Sequence, residues 1–145
     1  HEVDGEGLTV RAEGRTLLLV PGSWGDVQVN ASLQLHDFEG TLGVVHHVAN
    51  PTRYEAFTVT TTGVARLAQF DETGSSTLHE ATWSPSPGAV LSVSAAGSHL
   101  KGLVDGKVVN HGHAPAPPDG EVGLLLDGIG SVGIRNVEII PLKNH

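Results

Sequence analysis

The chain contains no cysteine and no methionine, and aromatic residues make up only 4% of its 145 positions. Without cysteine there is neither a disulfide framework nor a thiolate zinc site. With so few rings, the interior must be filled by Val, Leu, Ile and Ala. Basic residues are also scarce: eight Lys and Arg stand against sixteen Asp and Glu, for a formal charge of −8 with histidines neutral. No Lys/Arg stripe exists to follow a phosphate backbone, so nucleic acid is excluded as a partner. No apolar run approaches the roughly 20 residues that cross a bilayer, so membrane insertion is not expected. Nor does any stretch carry a convincing 3.6-residue period. The first residue is His1 rather than an initiator Met, which reads as a mature, trimmed or excised domain. Lys143-Asn144-His145 reads as native or as an appended remnant.

Turns and alternation are abundant instead. Nineteen glycines and eight prolines punctuate the chain and suit many short reversals. The strongest local signal lies between Ala89 and Asn110. There Asp105-Gly106 separates two apolar runs, Leu103-Val104 and Lys107-Val108-Val109. Asp-Gly in that setting predicts a two-residue type I′ hairpin, because both central residues need positive φ. Upstream, Leu91, Val93 and Ala95 alternate with polar or small residues, and Ala96-Gly97-Ser98 turns the chain. Three antiparallel strands are therefore expected in about twenty residues.

The cleanest strand runs from Asp26 to His36. Val27, Val29, Ala31, Leu33 and Leu35 share one face, and Gln28, Asn30, Ser32 and Gln34 share the other. Such alternation puts one face in a core and leaves one wet. Asn30-Ala31-Ser32 matches a glycosylation sequon, but in mid-strand. Further strands are read at Gly7 to Ala12 and Thr16 to Val20 around a turn at Glu13-Gly14, and at Thr41 to Val48, Arg53 to Thr61, Val64 to Phe70 and Ser76 to Thr82. The last two are Glu121 to Leu126 and Ser131 to Ile140, after a Pro-rich loop from His111 to Asp119. In the final strand Val132 and Ile134 are out of phase with Val137 and Ile139, so a bulge is expected near Arg135-Asn136. About twelve strands without helices define one domain over residues 1–145. Its class is all-β, a two-sheet antiparallel sandwich.

The order of these signals resembles a known family. Trp24-Gly25-Asp26 precedes the long alternating strand, Gly43 to His47 ends in a polar pair, and Asn50, Arg53 and Tyr54 open the next strand. A Val-x-Ala-x-Gly hairpin spans Val93 to Val108, and Gly120 to Leu124 and Asn136 to Ile139 close the chain. Together they resemble the concanavalin A-like jelly-roll superfamily, with laminin-G-like carbohydrate-binding modules and the 3-keto-disaccharide hydrolase family as the nearer likenesses. The resemblance implies a glycan held on the concave sheet and rim loops, and allows a structural calcium ion. No other cofactor is required.

Several residues are candidates for that ligand. His46 and His47 end a strand and should face opposite sides, His46 the core and His47 a groove. Arg53 offers a planar fork of donors and Tyr54 a flat ring with a hydroxyl. Across the turn, His47 and Tyr54 should lie close together. Trp24 is expected in the core, whereas Trp83, beside a Pro-rich loop, could present a ring for sugar stacking. Asn110, His111 and His113 follow the hairpin, and the His-x-His pair can bind zinc or sugar, although no third ligand is fixed by spacing. Glu55, Asp71, Glu72 and Glu80 are candidate acids, but no spacing singles out a glycosidase pair. Asp71-Glu72, or Asp37 with Glu39, could offer oxygens to calcium. The reading is a non-catalytic carbohydrate-binding module or lectin-like domain for an oligo- or polysaccharide, extracellular or secreted. The alternatives are a glycoside-active enzyme of the 3-keto-disaccharide hydrolase type, or a structural sandwich within a larger multidomain enzyme.

Overall fold

A computed structural model describes residues 2–142, with side chains from residue 8 onward. His1 and Lys143-Asn144-His145 lie outside the described residues. Among the described residues ten strands follow one another: β1 (Glu2–Trp24), β2 (Val27–Leu35), β3 (Glu39–Asn50), β4 (Arg53–Thr60), β5 (Val64–Asp71), β6 (Gly74–Thr82), β7 (Gly88–Ala96), β8 (His99–Val104), β9 (Lys107–His113) and β10 (Gly120–Pro141). All pairings are antiparallel.

The count is ten rather than twelve because two expected pairs of strands are each one long strand. Glu13-Gly14 does not reverse the chain. β1 stays paired with β10 along its length, and Gly14 faces Gly128. β10 then pairs with β3 through residues 121–129 and with β2 through residues 132–141. Both long strands therefore pass from one layer to the other. The first layer runs β6-β5-β4-β3, continued by the first half of β10. The second runs β9-β8-β7-β2, continued by its second half. Glycines form the crease: Gly40 and Gly130 have φ of +142° and +130°, and a Cβ on Gly128 would sit 2.2 Å from the Glu39 carbonyl oxygen. A side chain there would drive the layers apart.

The main core lies between the layers. Val27, Val29, Ala31 and Leu33 face inward as the alternation requires, while Gln28, Asn30 and Ser32 lie on the half-buried outer side. They meet Leu42, Val44, Phe57, Val59, Leu67, Leu91 and Val93. Phe57 reaches across to β8, where a Cβ on Gly102 would come within 2.3 Å of its ring. A smaller apolar cluster (Val45, Val48, Tyr54, Ala56 and Leu125) covers the other face of the first layer.

The local signals hold. Asp105 and Gly106 have φ of +51° and +82°, and Val104 pairs with Lys107 across them. The Asp105 carboxylate accepts the Val90 N–H at 2.8 Å, tying the hairpin tip to β7. Arg135 is the extra residue in β10, between Ile134 opposite Leu33 and Asn136 opposite Ser32.

Candidate functional site

The turns Trp24–Asp26, Asn50–Arg53 and Asp71–Gly74 and the loop 114–119 meet at one end of the sandwich. There a recess of about 180 Å³ is lined by His47, Arg53, Tyr54, Glu55, Gln69, Phe70, Asp71, Pro117 and Pro118. Pairing creates it. Tyr54 lies opposite Phe70 and Glu55 opposite Gln69 in the β4–β5 hairpin, while His46 lies opposite Glu55 from β3.

Alternation assigns His46 and His47 to opposite sides, and the structure corrects this. β3 carries a bulge after His46, and His47 takes φ of +51°. The left-handed residue rotates the chain, so both imidazoles are buried and their Nδ1 atoms meet at 2.7 Å. One of them must carry the proton. His46 Nε2 is buried without a hydrogen-bond partner. Burial, together with the neighbouring His47, lowers the His46 pKa to about 3. Burial also lowers that of His47, against the pull of Asp119 and Asp26.

Glu55 is 4% exposed. Its carboxylate accepts a 2.7 Å hydrogen bond from the Gln69 amide and stands 3.8 Å from His46 Nδ1. Burial raises its pKa, with Gln69 opposing. Asp71 behaves in the opposite way: hydrogen bonds from the Thr73 hydroxyl and N–H lower its pKa. At the rim the Arg53 guanidinium is oriented by Glu72, Nη2 to Oε2 at 2.7 Å. The Tyr54 ring stacks on Phe70, 4.7 Å between centroids and 17° from parallel, and the Arg15 guanidinium lies 5.5 Å from the Phe70 ring centre.

Other candidates fall elsewhere. Trp83 is 9% exposed and donates its indole N–H to the Thr60 carbonyl at 2.7 Å, so it anchors the β4–β5 turn and offers no platform. Its apolar ring is held by the core where composition alone suggested a loop-side position. Trp24 packs partly buried against the same core. Asn110 is 1% exposed and donates its side-chain amide to the Ala65 carbonyl at 3.2 Å, with His79 at 2.9 Å. It therefore stitches β9 to β5 and β6 rather than facing a ligand. His111 and His113 remain exposed, in a cluster with His99. Of the acids read as calcium ligands, Asp37 accepts the Ser131 N–H and Asp71 the Thr73 groups, while Glu72 holds Arg53. Glu80 pairs with Arg66.

Two wider depressions compare poorly with the recess. An 860 Å³ cleft at the opposite end is lined by Leu35, Phe38, Pro85 and Pro87 with Thr60, Thr61 and Thr62. Its threonine hydroxyls are engaged within their own turn or with Gly40. On the outer face of the second layer, Gln28 donates to Asn30 and Asn30 to Glu138 along a 460 Å³ groove with no aromatic lining. Gln69, Phe70 and the two prolines were not picked out from sequence. Counting outward from a two-residue Thr62-Gly63 turn would have set Phe70 opposite Glu55; the observed register is centred on Thr62 and sets Gln69 there instead.

No protein-family model and no curated protein matches this sequence. Solved structures do. A carbohydrate-binding module, CBM66, from Bacillus subtilis superposes with a TM-score of 0.81 at 18% identity, over 96% of this chain and 90% of that one. The chain has the concanavalin A-like jelly-roll fold. Galectin LEC-6 from Caenorhabditis elegans shares the jelly roll at a TM-score of 0.61 and 11% identity, over 96% and 95% of the two chains. The GH43 protein BlXynB from Bacillus licheniformis matches at 0.69 and 10% identity, with 94% of this jelly roll covering 33% of that larger chain.

Proposed function

We propose that this domain is a non-catalytic glycan-binding module that seats a sugar residue in the recess between His47, Arg53, Glu55, Gln69 and Asp71. The carrying observation is convergence. A guanidinium fork, a carboxylate, a side-chain amide and an imidazole line one recess floored by the Tyr54–Phe70 stack. Sugar hydroxyls are both donors and acceptors, and paired Arg, Gln and carboxylate groups complement them in a partly dry site. At about 180 Å³ the recess lies below the roughly 300–1,000 Å³ of sites for larger ligands, so it admits one ring rather than a stretch of chain. Likeness to a structure named for carbohydrate binding agrees with this reading. The rim recess is preferred to the polar sheet face, whose groove has no aromatic residue in its lining. A role in an extracellular polysaccharide-active assembly follows from the same reading. The reading requires no cofactor and is compatible with a structural calcium ion.

A second reading has one observation in its favour. Glu55 and Asp71 share the recess and have pKa values pushed in opposite directions, the pattern of an acid and a base in glycoside cleavage. Against it, Asp71 is bound into its own turn, and the recess has no room for rings on both sides of a scissile bond.

A glycan array followed by calorimetry tests the proposal. Glu55→Gln and Arg53→Ala should each weaken the best ligand by about 10- to 100-fold, the 1.5–3 kcal/mol of a charge-assisted hydrogen bond. Turnover of any glycoside that Glu55→Gln abolishes would establish the enzyme instead. Unchanged affinity in both variants would move the site elsewhere.

A further inference from the structure

We infer that His99, His111 and His113 form a surface site for a divalent transition metal, zinc in the first instance, independent of the recess. The three side chains are exposed, and each offers a ring nitrogen within 4.8 Å of the others. β-pairing assembles them. His111 and His113 lie two residues apart on one face of β9, and His99 of β8 sits directly opposite His113. Ring centroids are 4.6 Å apart for His99 and His113 and 4.9 Å for His111 and His113, with interplanar angles of 71° and 84°. The rings meet edge to face and are not stacked.

Tetrahedral zinc with Zn–N bonds near 2.0–2.1 Å needs its nitrogens about 3.4 Å apart. Exposed imidazoles can close that difference by side-chain rotation at little cost. Imidazole suits zinc, copper and nickel, and three protein nitrogens leave a fourth position for water or an incoming ligand atom. Lys101, opposite His111, is the fourth residue of this face. Its flexible stem can carry the ammonium away. The site stands at the start of the loop 114–119, which brings Pro117 and Pro118 to the recess.

Zinc chloride titrated into the whole chain at pH 7.5, followed by calorimetry and imidazole NMR, tests the site. One zinc should bind with shifts at all three rings, and His99→Gln should weaken it by more than about tenfold, since even outer partners of a metal ligand are worth roughly 10–100-fold. The exposed triple variant H99Q/H111Q/H113Q should fold normally and lose that binding event. Glu55→Gln should leave it intact, separating it from the buried His46–His47–Glu55 group. Equal zinc binding by wild type and triple variant would overturn the inference, as would a His99→Gln variant with unchanged affinity.

Discussion

Two adjacent side chains, His46 behind the recess and Glu55 in its lining, respond to acid in opposite directions. His46 has a folded pKa near 3 against 6.5 when exposed. The unfolded chain therefore binds the extra proton first, and stability is lost as pH falls below 6.5. Between pH 7 and 5 that loss is about 2 kcal/mol at 1.36 kcal/mol per unit. Glu55, raised above 4.5 by burial, works the other way: its contribution falls as pH rises from 4.5 through the folded value. Thermal melts should show wild type losing stability from pH 7 to 5, with His46→Gln losing less. Glu55→Gln should melt higher than wild type at pH 7 and lose more on acidification. A Glu55→Gln variant whose melting temperature did not fall on acidification from pH 7 to 5 would refute a buried neutral His46. A glycan-binding defect in a variant that is more stable than its parent could not be ascribed to unfolding.

At the scale of single elements, close approach matters more than propensity. β8 carries Gly102 because the Phe57 ring from the facing layer occupies the space of its side chain. Gly102→Ala should destabilise by about 1–3 kcal/mol through overpacking, read by denaturant midpoint. No loss would mean that Phe57 can shift freely. The bulges are also element-scale devices. The one in β10 is legible, because its apolar phase slips at Arg135. The one in β3 is not, since Val44, Val45, His46, His47 and Val48 form a run without alternation. Hidden with it was the burial of both histidines. The shift between Gly102 and Leu103 likewise has no sequence signature, yet it brings His99 opposite His113. Uninterrupted pairing from the Asp105-Gly106 turn would place His99 against Gly112.

Across the whole molecule, β1 and β10 belong to both layers, and Asn110 joins the far edges where β9 meets β5 and β6. Neither layer can unfold while leaving the other's pairing intact. Calorimetry should therefore show a single transition with equal calorimetric and van't Hoff enthalpies, and two resolved transitions would contradict a shared frame. Period-two alternation, turn pairs and the lack of any helical period determined the all-β class, the β7–β9 hairpins, the inward face of β2 and the β10 bulge, because each is set by neighbours within a few residues. Proximity across one turn likewise drew His47, Arg53 and Tyr54 into a single candidate group. Only the tertiary structure decided that β1 and β10 cross between layers, that Trp83 and Asn110 are buried, and that Gln69 and Glu55 share a recess. Those outcomes depend on register between distant strands and on packing across the core, and a one-residue shift in either changes which side chains meet.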